Sequence, residues 1–354
     1  LESIDCQHFR AVTALWFGKH NCRTLYGESA TATSESVMNT TPAISAAGLS
    51  IVERIGNTPL LRFQRVVAEV PHAEVYAKAE WTNPGGSVKD RAAAGIVQAA
   101  FRSGKMSGSK RLLDSTSGNT GIAYAMLGAA CGFGVTLCMP SNVSLERKRI
   151  LQAYGAEIIY TAPGEGSDGA IVRAREIAAE HPDKYFYADQ YSNDANWLAH
   201  YHGTANEIWE QTEGRITHFV TMLGTSGTFM GTTRRLKELK PHIECISLQP
   251  DAAFHGIEGA KYMPTAIVPA IYDPKLADRN LEISTEECYA MATRLAREEG
   301  LLVGPSSAAA LVGALRVARE SKVDHPVVVC IFCDSGDKYL SERFWDGAKP
   351  DYEI

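Results

Sequence analysis

From residue 111 onward, short apolar runs alternate with amphipathic stretches. The runs RLLDST, VTLCMP, EIIYTA, KYFYADQ, THFVTML, IECISLQ and PVVVCIF predict strands, because branched and aromatic side chains dominate them. Between them the spacing predicts helices over 120–131, 145–154, 168–181, 196–213, 228–239, 284–299 and 306–320. In the third, Ala170, Ile171, Ala174, Ile177 and Ala178 share one helical face. Strands alternating with helices predict an α/β protein with largely parallel sheets covered on both faces. Ligands in such sheets bind beyond the carboxyl ends of the strands. Upstream, the Asn-Pro-Gly-Gly of WTNPGGSVKDR is turn chemistry, and Ser87 reads as the N-cap of a helix running from Val88. The span 250–283 is long and irregular, with Gly, Pro and His, as expected of a functional lid.

Composition narrows the class. The chain has 354 residues, enough for two ordinary domains, with 45% hydrophobic and 21% charged residues. Its net charge of −6 and the lack of any Lys/Arg run argue against a nucleic-acid partner. No apolar run approaches the roughly 20 residues that span a bilayer, so no membrane partner is expected. Residues 1–49 read as a disordered or extended N-terminal segment rich in Ser, Thr and Ala. The acids Glu2, Asp5, Glu28 and Glu35 weaken a transit-peptide reading but leave organelle targeting open. Most of the eight cysteines lie in apolar surroundings, which suits buried thiols in a reducing, cytoplasmic compartment. Cys330 and Cys333 form a C-x-x-C inside a strand pattern rather than at the helix start that a redox motif uses.

Three features carry chemistry. In RLLDSTSGNTGIAYAML a strand enters Thr116-Ser117-Gly118-Asn119-Thr120-Gly121 and a helix leaves. In THFVTMLGTSGTFMGTTRRL a strand enters Gly224-Thr225-Ser226-Gly227-Thr228 and a helix leaves. Helix-start amides and hydroxyls can grip a carboxylate or a phosphate, although each loop alone equally reads as a capped turn. The second loop matches neither the dinucleotide fingerprint nor the P-loop and suits a single phosphate. The third feature is Lys89, a cation in the first turn of a helix, where the dipole opposes it. A helix N-terminus and burial both disfavour an ammonium ion, and a neutral amine attacks an aldehyde. Two anion sites and such a lysine point to pyridoxal 5′-phosphate.

In order and approximate spacing, NPGGSVKDR, TSGNTG and GTSGT resemble the cysteine synthase family of fold-type II pyridoxal-phosphate enzymes. The resemblance runs from about Ile55 to about Leu340. It implies two α/β domains, each with a largely parallel twisted sheet covered by helices. The smaller, mobile, carboxylate-binding domain would comprise 50–60 and 83–196. The larger, phosphate-binding domain would comprise 61–82 and 197–345, with 346–354 as a tail. Lys89 would be the Schiff-base lysine and general base. Asn119 would meet the cofactor's ring hydroxyl, and Gly224, Thr225, Ser226, Gly227 and Thr228 its phosphate. Ser306 would face the pyridine nitrogen, where a hydroxyl leaves the nitrogen neutral and favours β-elimination over transamination. Thr116, Ser117, Gly118, Thr120 and Gln190 would receive the substrate. The implied reaction makes L-cysteine from O-acetylserine or O-phosphoserine and sulfide through an α-aminoacrylate. The implied partners are an amino-acid substrate, a sulfur donor, a second copy in a homodimer, and a serine acetyltransferase or sulfur-carrier protein.

Some residues depart from the pattern. Pro305 stiffens the approach to Ser306, and Ala308 is expected to add a methyl beside the ring. The segment DAAFHGIEGAKYMPTAIVPAIYDP is more similar to the phosphoserine-using branch, whose arginine position falls near Lys261, with His255 close by. A lysine neutralises phosphate without the arginine fork. The terminal Asp351-Tyr352-Glu353-Ile354 reads either as a frayed end or as a tail that covers an active site. Rival readings are a cystathionine β-synthase, a serine/threonine dehydratase, or a catalytically silent binding partner of the same fold.

Overall fold

The computed structural model describes residues 50–116 and 118–348. The expectations for residues 1–49, for Ser117 and for the Asp351–Ile354 tail fall outside these residues. The described residues from Arg54 onward form one unit by their contacts. Its chain order is β1 (Leu60–Arg62), β2 (Glu74–Ala79), α1 (Lys89–Arg102), β3 (Arg111–Ser115), α2 (Asn119–Cys131), β4 (Val135–Pro140), α3 (Leu145–Ala153) and β5 (Glu157–Thr161). Then come α4 (Gly166–Glu180), β6 (Tyr185–Tyr187), α5 (Asp194–Ala199), α6 (Ala205–Gln211), β7 (His218–Met222), α7 (Gly227–Leu239) and β8 (Glu244–Pro250). The order closes with β9 (Arg279–Ile283), α8 (Thr285–Arg294), α9 (Pro305–Glu320) and β10 (Val327–Phe332).

Two sheets result. The larger has the order β1-β2-β10-β7-β8-β9, antiparallel only between β1 and β2. The smaller, β5-β4-β3-β6, is parallel throughout. The alternation of β10 explains why the larger sheet is covered on both sides. Val328, Cys330 and Phe332 pack with Ala308, Ala309 and Leu311 of α9, whereas Val329 and Ile331 pack with Phe229, Met230 and Leu236 of α7. In the smaller sheet the predicted apolar face of α4 is buried: Ala170, Ala174 and Ile177 join Leu113 and Cys138.

Three expectations shift. The strand predicted in KYFYADQ stops at Tyr187, because Asp189 adopts a positive φ of 43° and its carbonyl accepts from the amides of Ser192 and Asn193. The helix predicted over 196–213 begins at Asp194, where the Asn193 side chain accepts from the Ala195 amide, and carries a π-helical turn at His200–Thr204. The span 250–283 contains β9, whose half-exposed, polar alternation lacks the apolar signal of the inner strands.

Candidate active site

The first loop is built around α1. Gly86 takes φ 78°, a backbone that favours glycine. Ser87 is not the N-cap: Val88 holds that position, and the Ser87 hydroxyl accepts from the Lys89 amide at 3.2 Å. Asp90 folds back to accept from the Gly85 amide at 2.5 Å, and a Cβ on Gly85 would lie 2.5 Å from its other oxygen. Burial pushes the Asp90 carboxyl up to about 7, against that amide and the Lys338 ammonium. Arg91 lies between Glu80 and Glu207, each with an oxygen at 2.7 Å, and Lys78 reaches Glu207 at 2.7 Å. The motif's Asp and Arg thus anchor the helix start that presents Lys89.

Lys89 lines a cleft together with Asn119, Gly224, Thr225, Ser226, Thr228 and Ser306. Residues distant in sequence but singled out there therefore converge. In the first cradle the Thr116 hydroxyl accepts from the Gly118 amide at 3.1 Å and the Gly121 amide at 3.3 Å. A Cβ on Gly121 would lie 2.6 Å from the Thr116 methyl, so glycine permits this turn. The Thr120 hydroxyl donates to Gln190 Oε1 at 2.7 Å, and Gln190 Nε2 donates to the Ser115 carbonyl at 2.7 Å. The turn that cut β6 short therefore delivers Gln190 to the cradle.

The second cradle is tighter. Ser226 adopts φ 67° at the N-cap of α7, which has no side-chain cap, so first-turn amides are left for a ligand. Cβ atoms at Gly224 and Gly227 would lie 2.3 Å from the Gly259 carbonyl oxygen and 1.9 Å from Asn196 Oδ1. Asn196 Nδ2 donates to the Gln190 carbonyl at 2.7 Å and to the Thr225 hydroxyl at 3.1 Å, tying the two cradles together. His200 Nε2 stands 3.3 Å from the Thr228 hydroxyl, and burial, then the charges of Arg91 and Lys89, hold the ring well below its usual titration range.

Ser306 is the second residue of α9, whose N-cap is Gly304 with Pro305 following, so its hydroxyl does not serve as the N-cap. It neighbours the Cys333 thiol, which burial pushes up to about 11. Ala308 packs in the core cluster of the larger sheet, which corrects its expected place beside the ring. Lys261 is turned to Asp168 at 3.0 Å and lies over the Tyr191 ring, 5.1 Å from its centroid. His255 Nδ1 accepts from the Ile257 amide at 3.2 Å.

Sequence reasoning missed several neighbours. Glu258 lines the cleft and pairs with Arg147 of α3. Arg147 is 5% exposed, and its guanidinium carbon would lie 3.7 Å from a Cβ on Gly118. Like Lys89 it is a cation in a helix first turn, a signal that could have flagged it. Asp334 and Lys338 contact Asn119 at 2.7 and 2.9 Å. Nothing local marks Asn196.

The donor set fits pyridoxal 5′-phosphate. Uncapped helix amides with Thr225 and Thr228 suit its phosphate, the Lys89 amine its aldehyde, the Asn119 amide its ring oxygen, and the Ser306 hydroxyl its ring nitrogen.

Comparison with known proteins agrees. The family described as pyridoxal-phosphate dependent enzyme matches residues 51–334. A cysteine synthase of Aquifex aeolicus is 49% identical over 296 residues, 82% of this chain and 90% of that protein. The crystal structure of a cysteine synthase from Entamoeba histolytica superposes with a TM-score of 0.81 at 34% identity, covering 90% of this chain and 96% of that one. An O-acetylserine dependent cystathionine β-synthase from Helicobacter pylori gives 0.79 at 35% identity, over 84% of this chain and 98% of that one. With Asn119, the 224–228 loop and Ser306 gathered about one lysine and relatives of nearly full length, the chain belongs to the pyridoxal-phosphate dependent enzymes, among the cysteine synthases.

Proposed function

We propose that this protein forms L-cysteine from an activated serine and sulfide. The observation that carries the reading is the meeting of Lys89, Asn119 of the first cradle, Gly224 to Ser226 and Thr228 of the second, and Ser306 in one cleft. Pyridoxal 5′-phosphate supplies an aldehyde for an amine and an electron sink for the carbon next to the substrate carboxylate. The α7 amides with Thr225 and Thr228 hold its phosphate. The Ser306 hydroxyl would face the ring nitrogen, where a hydroxyl in place of a carboxylate would leave that nitrogen neutral and favour loss of a β-substituent. Thr116, Thr120, Gln190 and the Ser117–Gly118 segment hold the substrate carboxylate. Lys89 Nζ would take the proton from the substrate Cα as the general base. The smaller sheet's segment, 83–196, closes over the substrate against the larger domain, 61–82 and 197–345.

The geometry favours O-acetylserine as the activated serine. Arg147 is already paired with the cleft-lining Glu258, and Lys261 with Asp168. A phosphate on the substrate would have to displace one of those carboxylates. Paired kinetics with O-acetylserine and O-phosphoserine, in wild type and Lys261→Ala, decide the point. A loss confined to O-phosphoserine in the variant would restore the phosphate reading. The broader reading predicts a yellow, borohydride-reducible protein that Lys89→Ala abolishes; a chromophore that persists in the variant would defeat it.

The cystathionine β-synthase reading is kept because of the Helicobacter pylori neighbour. Product analysis with sulfide and homocysteine separates the two. A reducing, cytoplasmic setting agrees with the buried thiols of Cys138, Cys245, Cys288 and Cys330. The homodimer and a serine acetyltransferase or sulfur-carrier partner rest on the family resemblance alone. Among the described residues no helix is long and apolar enough to cross a membrane.

A further inference from the structure

We infer that Lys338 and Asp334 are positioning residues that set which face of the Asn119 amide looks into the cleft. Lys338 Nζ donates to Asn119 Oδ1 at 2.9 Å and to the Gly86 carbonyl at 3.0 Å. Asn119 Nδ2 donates to Asp334 Oδ2 at 2.7 Å, and the Tyr339 hydroxyl donates to that same oxygen at 2.7 Å. An ammonium has only donors and a carboxylate only acceptors, so the two partners fix the amide without ambiguity. Its carbonyl is taken by Lys338, and one N–H by Asp334. The remaining N–H is the group that Asn119, which lines the cleft beside Lys89, has left to offer.

The clamp is built into the fold. Asp334 has no exposed surface and forms an isolated bridge with Ser87, two residues before Lys89. A Cβ on Gly304 would lie 2.1 Å from Asp334 Oδ1, so glycine leaves room for this carboxylate at the start of the helix that carries Ser306. Asp334 thus meets the segment that holds Lys89 through its backbone, and those that hold Asn119 and Ser306 through its carboxylate. Lys338 adds a second tie, to Gly86 of the loop before Lys89. A cofactor ring oxygen carrying negative charge needs a donor at Asn119, whereas a flipped amide would present it with a carbonyl. The clamp removes the flipped state in advance, which strengthens binding by preorganisation.

This inference rests on the pyridoxal-phosphate reading. The test measures cofactor affinity by titrating resolved apoprotein with pyridoxal 5′-phosphate, together with the visible absorption band of the holoenzyme. Lys338→Met should weaken cofactor binding about tenfold and shift the band, since one hydrogen bond to a charged group is lost and the amide can turn. Lys338→Arg, which keeps the donor charge, should restore most of both. In an Asn119→Ala background, Lys338→Met should have little further effect, because the amide it orients is gone. Asp334→Asn gives a second route, with a partner that no longer specifies the amide's face. Equal effects of Lys338→Met with and without Asn119 would overturn the inference and leave the cofactor reading standing. Failure of the unaltered protein to take up pyridoxal 5′-phosphate would overturn both.

Discussion

Replacing Glu207 by Gln tests whether the buried charge cluster positions Lys89. The cluster holds two cations, Lys78 and Arg91, against two anions, Glu80 and Glu207. Lys78 and Glu80 have no exposed surface, and Arg91 is 5% exposed. Glu207 takes both terminal nitrogens of Arg91 at 2.7 Å, the Lys78 ammonium at 2.7 Å and the Asn57 amide at 3.0 Å. Glutamine keeps the shape but leaves one buried positive charge without a counterion. Breaking such a pair from one side costs about 3–5 kcal/mol. At roughly 2–4 °C per kcal/mol for a protein near this size, the melting temperature should fall by about 6–20 °C. The pH dependence has a definite sign. Burial alone would raise the Glu207 carboxyl, but Arg91 and Lys78 outweigh it and hold it far below its ordinary 4.5. Its stabilisation is present above that ordinary value and lost as pH falls through the folded one, so wild type and variant should converge in acid. Arg91 follows Lys89 by two residues on α1, so the variant should also lose cofactor more readily. Calorimetry at neutral and acid pH, with absorbance for bound cofactor, measures all three effects. An unchanged melting temperature at neutral pH would refute the idea that this cluster stabilises the start of α1.

Gly224→Ala would put a methyl 2.3 Å from the Gly259 carbonyl oxygen, so the phosphate cup and the segment after β8 must separate. Cofactor affinity should drop at least about tenfold, with a stability loss of roughly 1–3 kcal/mol, by titration and thermal melting. Asp90→Asn mimics the protonated acid at a site where burial raises the carboxyl to about 7. A raised folded pKa means that wild-type stability declines as pH climbs from about 4 to about 7 and then levels. The variant should therefore gain on wild type across that window, by about 4 kcal/mol at the very most; a pH-independent difference between their melting curves would contradict the assignment. Glu258→Gln removes the carboxylate paired with Arg147 beside the first cradle and should raise the relative kcat/KM for O-phosphoserine; no change in the substrate ratio would show that Glu258 does not guard that cation.

Much of this molecule was legible along the chain, because local rules suffice for it. The apolar run of β10 and the helical spacing of α4 reflect strand and helix periods. Gly121, Gly224 and Gly227 in the two cradles mark close approaches that side chains would block. Lys89 stood out because a cation at a helix start needs a reason. The polar edge strand β9 was not legible, since its half-exposed alternation lacks an inner strand's signal. Nor were the pairings across the fold. Asn196 ties one cradle to the other, Asp334 reaches Asn119 across 215 positions, and Arg147 pairs with Glu258 in the segment after β8. The sequence by itself determined the inner strands, most of the helices and the two glycine-bearing turns between them. The tertiary structure alone decided which charges neutralise each other and which way the Asn119 amide faces, because desolvation and hydrogen bonding depend on what folding brings within about 3 Å.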